Sequence, residues 1–274
     1  KSLKVNKKVF CAFVDLEKAF DKVDRAKLWE VLKEYGVTGW LLKAIQAVYN
    51  DSKASVRVNG QLSDWFDIRQ GVRQGCVMSS WMFNIYMDKC LRMALSDEEG
   101  VDLGTVKVRG LAFADDKIVT AESADDLQRM LSRLDTSMKN MGLKINVNKT
   151  KIIVFENKDA KTKCDIALNG EKIEQVDKFV YLGSLFTADG KIDAEISRRI
   201  NEGKKVIGSV QAITKSKNVT NKAKIAIYNS VLAPTVLYGS ETWTYQEKDK
   251  SKLNAIGMQY LRNVCGKTLM DKVS

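Results

Sequence analysis

Val9-Phe10-Cys11-Ala12-Phe13-Val14-Asp15 is the stretch on which the fold turns: an unbroken apolar run stopped by a carboxylate. Such a run, too short for a long helix and without polar alternation, reads as a strand covered on both faces. Asp15 then sits at the strand's exit. A second place in the chain has the same character. Leu111 to Phe113 and Ile118-Val119 read as two short strands, and the connection between them holds Asp115-Asp116.

Outward from these strand ends the pattern alternates. Asp24 is placed to cap a helix with Leu28, Val31, Leu32 and Tyr35 on one face, and Gly36 to stop it. A second helix runs through Leu41, Leu42, Ile45, Val48 and Tyr49. Ala54 to Ile68 alternates polar and apolar residues around Asn59-Gly60, a hairpin signal. A polar loop from Arg69 to Ser79 precedes an apolar helix from Ser80 to Leu95. Ser123 opens the clearest helix of the chain, with Leu127, Met130, Leu131, Leu134, Met138 and Met141 on one face and Gly142 at its end. Strands are expected through residues 145–155 and around Asn169-Gly170. From about Ile192 the period is helical, and Pro234 marks a break or kink. A mixed α+β body, residues 1–190, therefore precedes a helical region, residues 191–274, with Asp189-Gly190 as the turn between them.

Composition narrows the chemistry. With 274 residues and 45% hydrophobic content the chain buries a sizeable core. No apolar run approaches the roughly 20 residues of a membrane span, and Lys1-Ser2-Leu3-Lys4-Val5-Asn6 has no signal-peptide core, so a soluble, intracellular protein without a membrane partner is expected. The five cysteines are odd in number and far apart, and there is no histidine, which argues against a disulfide framework or a zinc site. The missing histidine also removes the usual general base and every Ser-His or Cys-His nucleophile pair. Chemistry must then rest on carboxylates, lysines or metal. The net charge is +11, and most of it falls in residues 191–274, where 15 basic residues face 7 acidic ones. That imbalance points to a polyanionic partner bound by Arg198, Arg199, Lys204, Lys205, Lys215, Lys217, Lys222 and Lys224.

The chain supplies its own control for acidic pairs. Asp125-Asp126 lies in the first turn of the Ser123 helix, where negative charge suits the helix dipole. Asp115-Asp116 lies instead between apolar strands, where Asn-Gly or Asp-Gly would be the ordinary turn. Two carboxylates about 4 Å apart repel by about 4 kcal/mol at an effective dielectric near 20. Bound divalent metal compensates. A central antiparallel sheet could bring Asp15 beside Asp115, making an oxygen-rich site for two Mg²⁺, with Mn²⁺ as the alternative, suited to in-line displacement at phosphorus.

Five segments now resemble one family. Asp15-Leu16-Glu17-Lys18-Ala19-Phe20-Asp21-Lys22-Val23 resembles motif A of non-LTR retrotransposon reverse transcriptases, Arg73-Gln74-Gly75-Cys76-Val77-Met78-Ser79 their motif B, and Phe113-Ala114-Asp115-Asp116 their motif C. Gly142 to Asn146 with Asn148-Lys149-Thr150 is similar to motif D, and Phe179-Val180-Tyr181-Leu182-Gly183 to the primer-grip segment. The resemblance implies a right-hand polymerase palm, a ferredoxin-like antiparallel sheet with helices, followed by a helical thumb. It implies Asp15, Asp115 and Asp116 as metal ligands and Lys149 as the cation at departing pyrophosphate. Phe20 would lie under the incoming sugar, Arg73, Gln74 and Gly75 would meet the nucleotide, and Tyr181-Leu182-Gly183 the primer. The partners implied are an RNA template, a DNA primer and deoxynucleoside triphosphates, with the nucleus favoured as the place of action. Motif B reads Ser79-Ser80-Trp81 where the family has Ser-Pro-Trp, and Lys117 follows the aspartate pair where a small polar residue is more usual. With Asp15 so near residue 1, the expectation is a palm and thumb truncated at the N-terminus, with the fingers largely missing.

The expected activity is RNA-directed DNA synthesis. Two alternatives stay open at this point: a nucleic-acid-binding remnant of the same fold without catalysis, and a two-metal nucleotidyl cyclase, against which the basic region and Arg73-Gln74-Gly75 speak.

Overall fold

Val9–Val14 (β1) is the middle strand of a five-stranded sheet, and Phe10 to Val14 are all buried. Phe10, Ala12 and Val14 belong to the main core; Cys11 and Phe13, on the opposite face by strand alternation, are buried too. The molecule is described by a computed structural model over residues 8–95, 99–157, 162–244 and 246–271. The Lys1 to Asn6 stretch lies outside the described residues.

Asp24 caps the helix Arg25–Glu34 (α1) by accepting the Ala26 and Lys27 N–H groups, and Gly39–Tyr49 forms α2. Two small, exposed ribbons follow, the inner one turning at Asn59-Gly60. Helix α3, Val77–Ala94, begins one turn ahead of Ser80, with Cys76 at its cap position. The strands Gly110–Phe113 (β2) and Asp116–Ala121 (β3) form an antiparallel hairpin. Ser123 caps α4, Ala124–Asn140, through the Asp126 N–H. Its apolar face lies on β1 and β3 and against α3, which packs on α1.

The strand expected over residues 145–155 is split. Ile145 makes only a bridge to Leu16, and the regular strand is Lys151–Phe155 (β4). Asn146 causes the break: its carbonyl accepts the Thr150 N–H and hydroxyl, and its side-chain oxygen accepts the Lys149 N–H, closing a local turn in place of a ladder. Glu174–Gln175 (β5) completes the order β5-β4-β1-β3-β2. The β4–β5 pair is parallel and the rest antiparallel, so the sheet is mixed where an antiparallel one was expected. The class is α+β.

Compact units part between Asp177 and Lys178, ahead of the change in charge at residue 190, because the hairpin Lys178–Tyr181 (β6) and Ser184–Thr187 (β7) goes with the second unit. There β7 contacts helix α5, Asp193–Ser209, and α5 contacts helix α6, Glu247–Val264. Ile207, Leu232, Val236, Ile256 and Tyr260 form this unit's core. Pro234 does not end the helical path. It stands at the start of Ala233–Leu237, directly after a π turn, Tyr228–Leu232, whose wider hydrogen-bond pattern takes up the proline's missing donor and ring.

Candidate active site

Register brings the acidic residues together. The β1–β3 ladder ends at the pair Val14 and Lys117, so the next step in the same antiparallel register sets Asp15 beside Asp116. Asp115 occupies the turn before β3, next to Ala114, whose φ of 52° is unusual for a residue with a Cβ. Burial pushes the Asp15 carboxyl up, Lys149 pulls it down and Asp115 raises it again. Asp116 is raised by burial, then by Asp115 and Asp15, against the pull of Lys117. One oxygen of Asp15, Oδ2, is buried without a hydrogen-bond partner, and its nearest cation is Lys149 Nζ at 4.0 Å. An orphaned carboxylate oxygen among mutually repelling acids fits a hard divalent cation in donor type. Among the described residues, no three His, Cys, Asp or Glu side chains stand close enough to form a ready-made metal cage.

The backbone of Asp15 is anchored by Thr150 and Asn146. Its N–H donates to Thr150 Oγ1 at 3.3 Å, and its carbonyl accepts the Asn146 N–H at 2.9 Å. Lys117 anchors the neighbouring turn. Its side chain is completely buried, donates to the carbonyls of Ala114 at 3.0 Å and Asp115 at 3.1 Å, and lies 5.9 Å from the Phe83 ring centre. Burial pushes its pKa down to about 8. Lys117 thus ties the turn of the aspartate pair from beneath.

Other expected site residues fall nearby or elsewhere. Phe20 is half-buried and stacks on Phe83 with ring centres 4.2 Å apart. Arg73, Gln74 and Gly75 are exposed on the loop before α3, and Gln74 Nε2 donates to Asp21 Oδ1 at 2.9 Å. In the second unit, Leu182 and Gly183 make the tight β6–β7 turn with φ of 45° and 78°, and Tyr181 is buried at its entry. A type I′ geometry needs two positive φ values, which explains the glycine.

Side chains satisfy that turn's carbonyls. Tyr238 donates its hydroxyl to the Leu182 carbonyl at 3.0 Å, and both Arg198 and Arg199 donate to the Gly183 carbonyl. The two arginines also bond Glu195, with Arg199 Nε at 2.6 Å and Arg198 Nε at 2.8 Å, while Glu195 accepts the Leu185 N–H at 3.0 Å. Burial alone would raise the Glu195 carboxyl; these bonds outweigh it and hold the carboxyl below its usual range. Arg199, expected from its charge to meet a polyanion, has its guanidinium buried against Glu195 and 4.5 Å from the Tyr238 ring centre. Lys224 is buried as well, whereas Lys204, Lys205, Lys215, Lys217 and Lys222 are exposed. Glu195 and Tyr238 carried no legible signal beyond the i, i+4 spacing of Glu195 and Arg199.

The chain belongs to the reverse transcriptase (RNA-dependent DNA polymerase) family, which residues 1–186 match. Its homologues are non-LTR retrotransposon proteins. The retrovirus-related Pol polyprotein from the type-1 retrotransposable element R2 of Nasonia vitripennis is 28% identical over 241 residues, covering 85% of this chain and 22% of that protein. The RNA-directed DNA polymerase from the mobile element jockey of Drosophila melanogaster is 26% identical over 270 residues, covering 93% of this chain and 28% of that one. The chain thus spans between about a fifth and just over a quarter of these curated relatives. Telomerase from Candida albicans, solved in complex with a TWJ fragment of telomeric RNA, matches in fold with a TM-score of 0.51 at 12% identity, over 94% of this chain and 50% of that one. Among the described residues, no helix is long and apolar enough to cross a membrane.

Proposed function

We propose that the protein is an RNA-directed DNA polymerase that extends a DNA primer on an RNA template, with residues 1–190 as a right-hand palm and residues 191–274 as a helical thumb. The observation that carries this reading is the β1–β3 register, whose continuation past Val14 and Lys117 leads Asp15 to Asp116, with Asp115 in the adjoining turn and a buried Asp15 oxygen lacking a hydrogen-bond partner.

In the reaction the primer 3′-oxygen forms a bond to the α-phosphorus of a deoxynucleoside triphosphate as the bond to pyrophosphate breaks, and the 3′-hydroxyl proton is lost. Asp15, Asp115 and Asp116 would hold divalent metal. Bound Mg²⁺ or Mn²⁺ would supply positive charge to the attacking and leaving oxygens. Lys149, 4.0 Å from Asp15 and otherwise open to solvent, would neutralise the departing pyrophosphate. Phe20 would wall off the sugar's 2′ position, Arg73, Gln74 and Gly75 would bind the nucleotide, and the Tyr181-Leu182-Gly183 turn the primer. Arg198, partly exposed beside that turn, and Lys204 and Lys205 would hold phosphates of the duplex. Likeness to retrotransposon polymerases favours action in the nucleus.

The test is extension of a labelled DNA primer annealed to RNA, using the full chain with Mg²⁺ or Mn²⁺. Template-directed products are expected; their absence with both metals would overturn the reading. A second reading, a binding protein of this fold without catalysis, is favoured by buried Lys117, which brings a cation to the aspartate turn. It predicts primer–template binding with no extension.

A further inference from the structure

The loop that leads to Arg73-Gln74-Gly75 is held by one side chain from another element. Arg25, the first residue of α1, donates Nε to the Gly71 carbonyl at 2.9 Å and Nη1 to the carbonyls of Ile68 at 2.9 Å and Tyr49 at 3.3 Å. Its Nη2 donates to the Gln70 carbonyl at 3.3 Å. Four of the five guanidinium N–H groups thus end on backbone carbonyls. The same guanidinium lies 5.0 Å from the Tyr49 ring centre, and Arg73 lies 5.7 Å from that ring and reaches Ser52. Tyr49 is fixed in turn by a 2.7 Å hydrogen bond between its hydroxyl and that of Ser79 in α3.

The loop also approaches the segment after Asp15 closely. The Gly71 N–H donates to the Val23 carbonyl and the Val72 N–H to the Phe20 carbonyl, both at 2.8 Å. Gly71 has φ of 82°, and a Cβ there would stand 2.8 Å from the Asp21 carbonyl oxygen, so only glycine permits the contact. Beside it opens a cavity of about 880 Å³ whose lining includes Asp21, Arg25, Arg69, Arg73 and Gln74.

We propose that Arg25 is the positioning residue of this cavity: it fixes residues 68–74 against residues 20–23, so that Arg73 and Gln74 are held ready for an incoming nucleoside triphosphate. The proposal rests on the polymerase reading for the identity of the ligand, while the clamp itself stands on the carbonyl contacts. Every hydrogen bond described for Arg25 ends on a neutral carbonyl, so the clamp works through the planar fork and not through ion pairing. Lysine, with three donors on one nitrogen, cannot span the four carbonyls of Tyr49, Ile68, Gln70 and Gly71. Arg25 touches no reacting atom in this scheme. Its loss should therefore weaken nucleotide capture more than the chemical step.

The experiment compares the full-length wild type with Arg25→Lys and Arg25→Met by two readouts. In hydrogen exchange, the amides of Gly71 and Val72 should exchange at least about tenfold faster in both variants while β1 and β3 keep their protection. In single-nucleotide incorporation on a primer–template, KM for the nucleotide should rise roughly tenfold with kcat within about threefold, since small misplacements of positioning groups carry penalties of that order. Unchanged exchange at residues 68–74 overturns the clamp. Faster exchange with unchanged KM, or a fall in kcat alone, overturns the positioning role. Loss of protection throughout the first unit in both variants assigns Arg25 to general stability and also overturns it. A wild type that incorporates no nucleotide refutes the polymerase reading, and the nucleotide role of Arg25 with it, while the exchange result still decides the clamp.

Discussion

Replacing Glu195 with glutamine keeps an acceptor for the Leu185 N–H but leaves Arg199 without a counter-charge in a site where Glu195 is 2% and Arg199 8% exposed. Removing one partner of a buried ion pair costs about 3–5 kcal/mol. Arg199 keeps its bond to the Gly183 carbonyl and its contact with the Tyr238 ring, and Arg198 is partly exposed, so the lower end applies, about 3 kcal/mol. Arg199→Met leaves the carboxylate with Arg198 as its remaining cation, and the double variant removes both members of the buried pair. A cycle of Glu195→Gln, Arg199→Met and the double variant should give a coupling of at least about 2 kcal/mol in urea denaturation, with exchange at β6 and β7 locating the loss. The pH dependence has a definite sign. The Glu195 carboxyl is held below its usual range, so its contribution is present above the ordinary carboxylate pKa and is lost as pH falls through the folded value. Glu195→Gln should lack that acid-linked loss. Effects additive within about 0.5 kcal/mol would refute the argument.

Other consequences can be measured in parallel. Lys117 has a folded pKa of about 8 against 10.5 for the free side chain, so between those values the unfolded chain binds more protons and stability rises with pH. Relative to Lys117→Met, wild type in EDTA should gain about 3 kcal/mol across that window; a flat difference contradicts the burial argument. Phe20→Val should raise ribonucleotide use relative to deoxyribonucleotide, and also cost about 2 kcal/mol through the lost stack on Phe83. An unchanged ratio in an active variant assigns Phe20 to packing. Changing Lys204, Lys205, Lys215, Lys217 and Lys222 together to glutamine should flatten the log–log salt dependence of duplex binding by about 0.9 per lost phosphate contact. An unaltered slope removes these lysines from the interface.

What the sequence made legible is what local physics encodes. The apolar run of β1, the Asp24 and Ser123 caps and the Asn59-Gly60 turn each follow from near neighbours, and each is found. Acids at strand ends are readable in the sequence, which sets Asp15 beside Asp115, whereas the β1–β3 register continued past Val14 and Lys117 leads Asp15 to Asp116. Residues acting across long separations stayed hidden. Arg25 reads as an ordinary first-turn residue until Ile68, Gln70 and Gly71 are brought to it, and Tyr238 gives no sign that it bonds Leu182. Charge misled where tertiary pairing wins: Arg199 and Lys224 counted toward a basic surface, yet both are buried. The Asn146 turn is invisible to the apolar pattern, because there a side chain competing for a backbone N–H interrupts an otherwise strand-like run.

The measurement that bears most directly on the account is RNA-templated incorporation of a labelled deoxynucleotide by the full chain and by Asp15→Asn, in Mg²⁺, with primer–template affinity measured on the same samples. Asp15→Asn keeps the side chain's size while removing its charge from the shared acidic site, so it should bind the duplex within about threefold of wild type and incorporate at least about 10³-fold more slowly, an effect of roughly 4 kcal/mol. Incorporation by Asp15→Asn at the wild-type rate would contradict the assignment of polymerase chemistry to the strand-end aspartates.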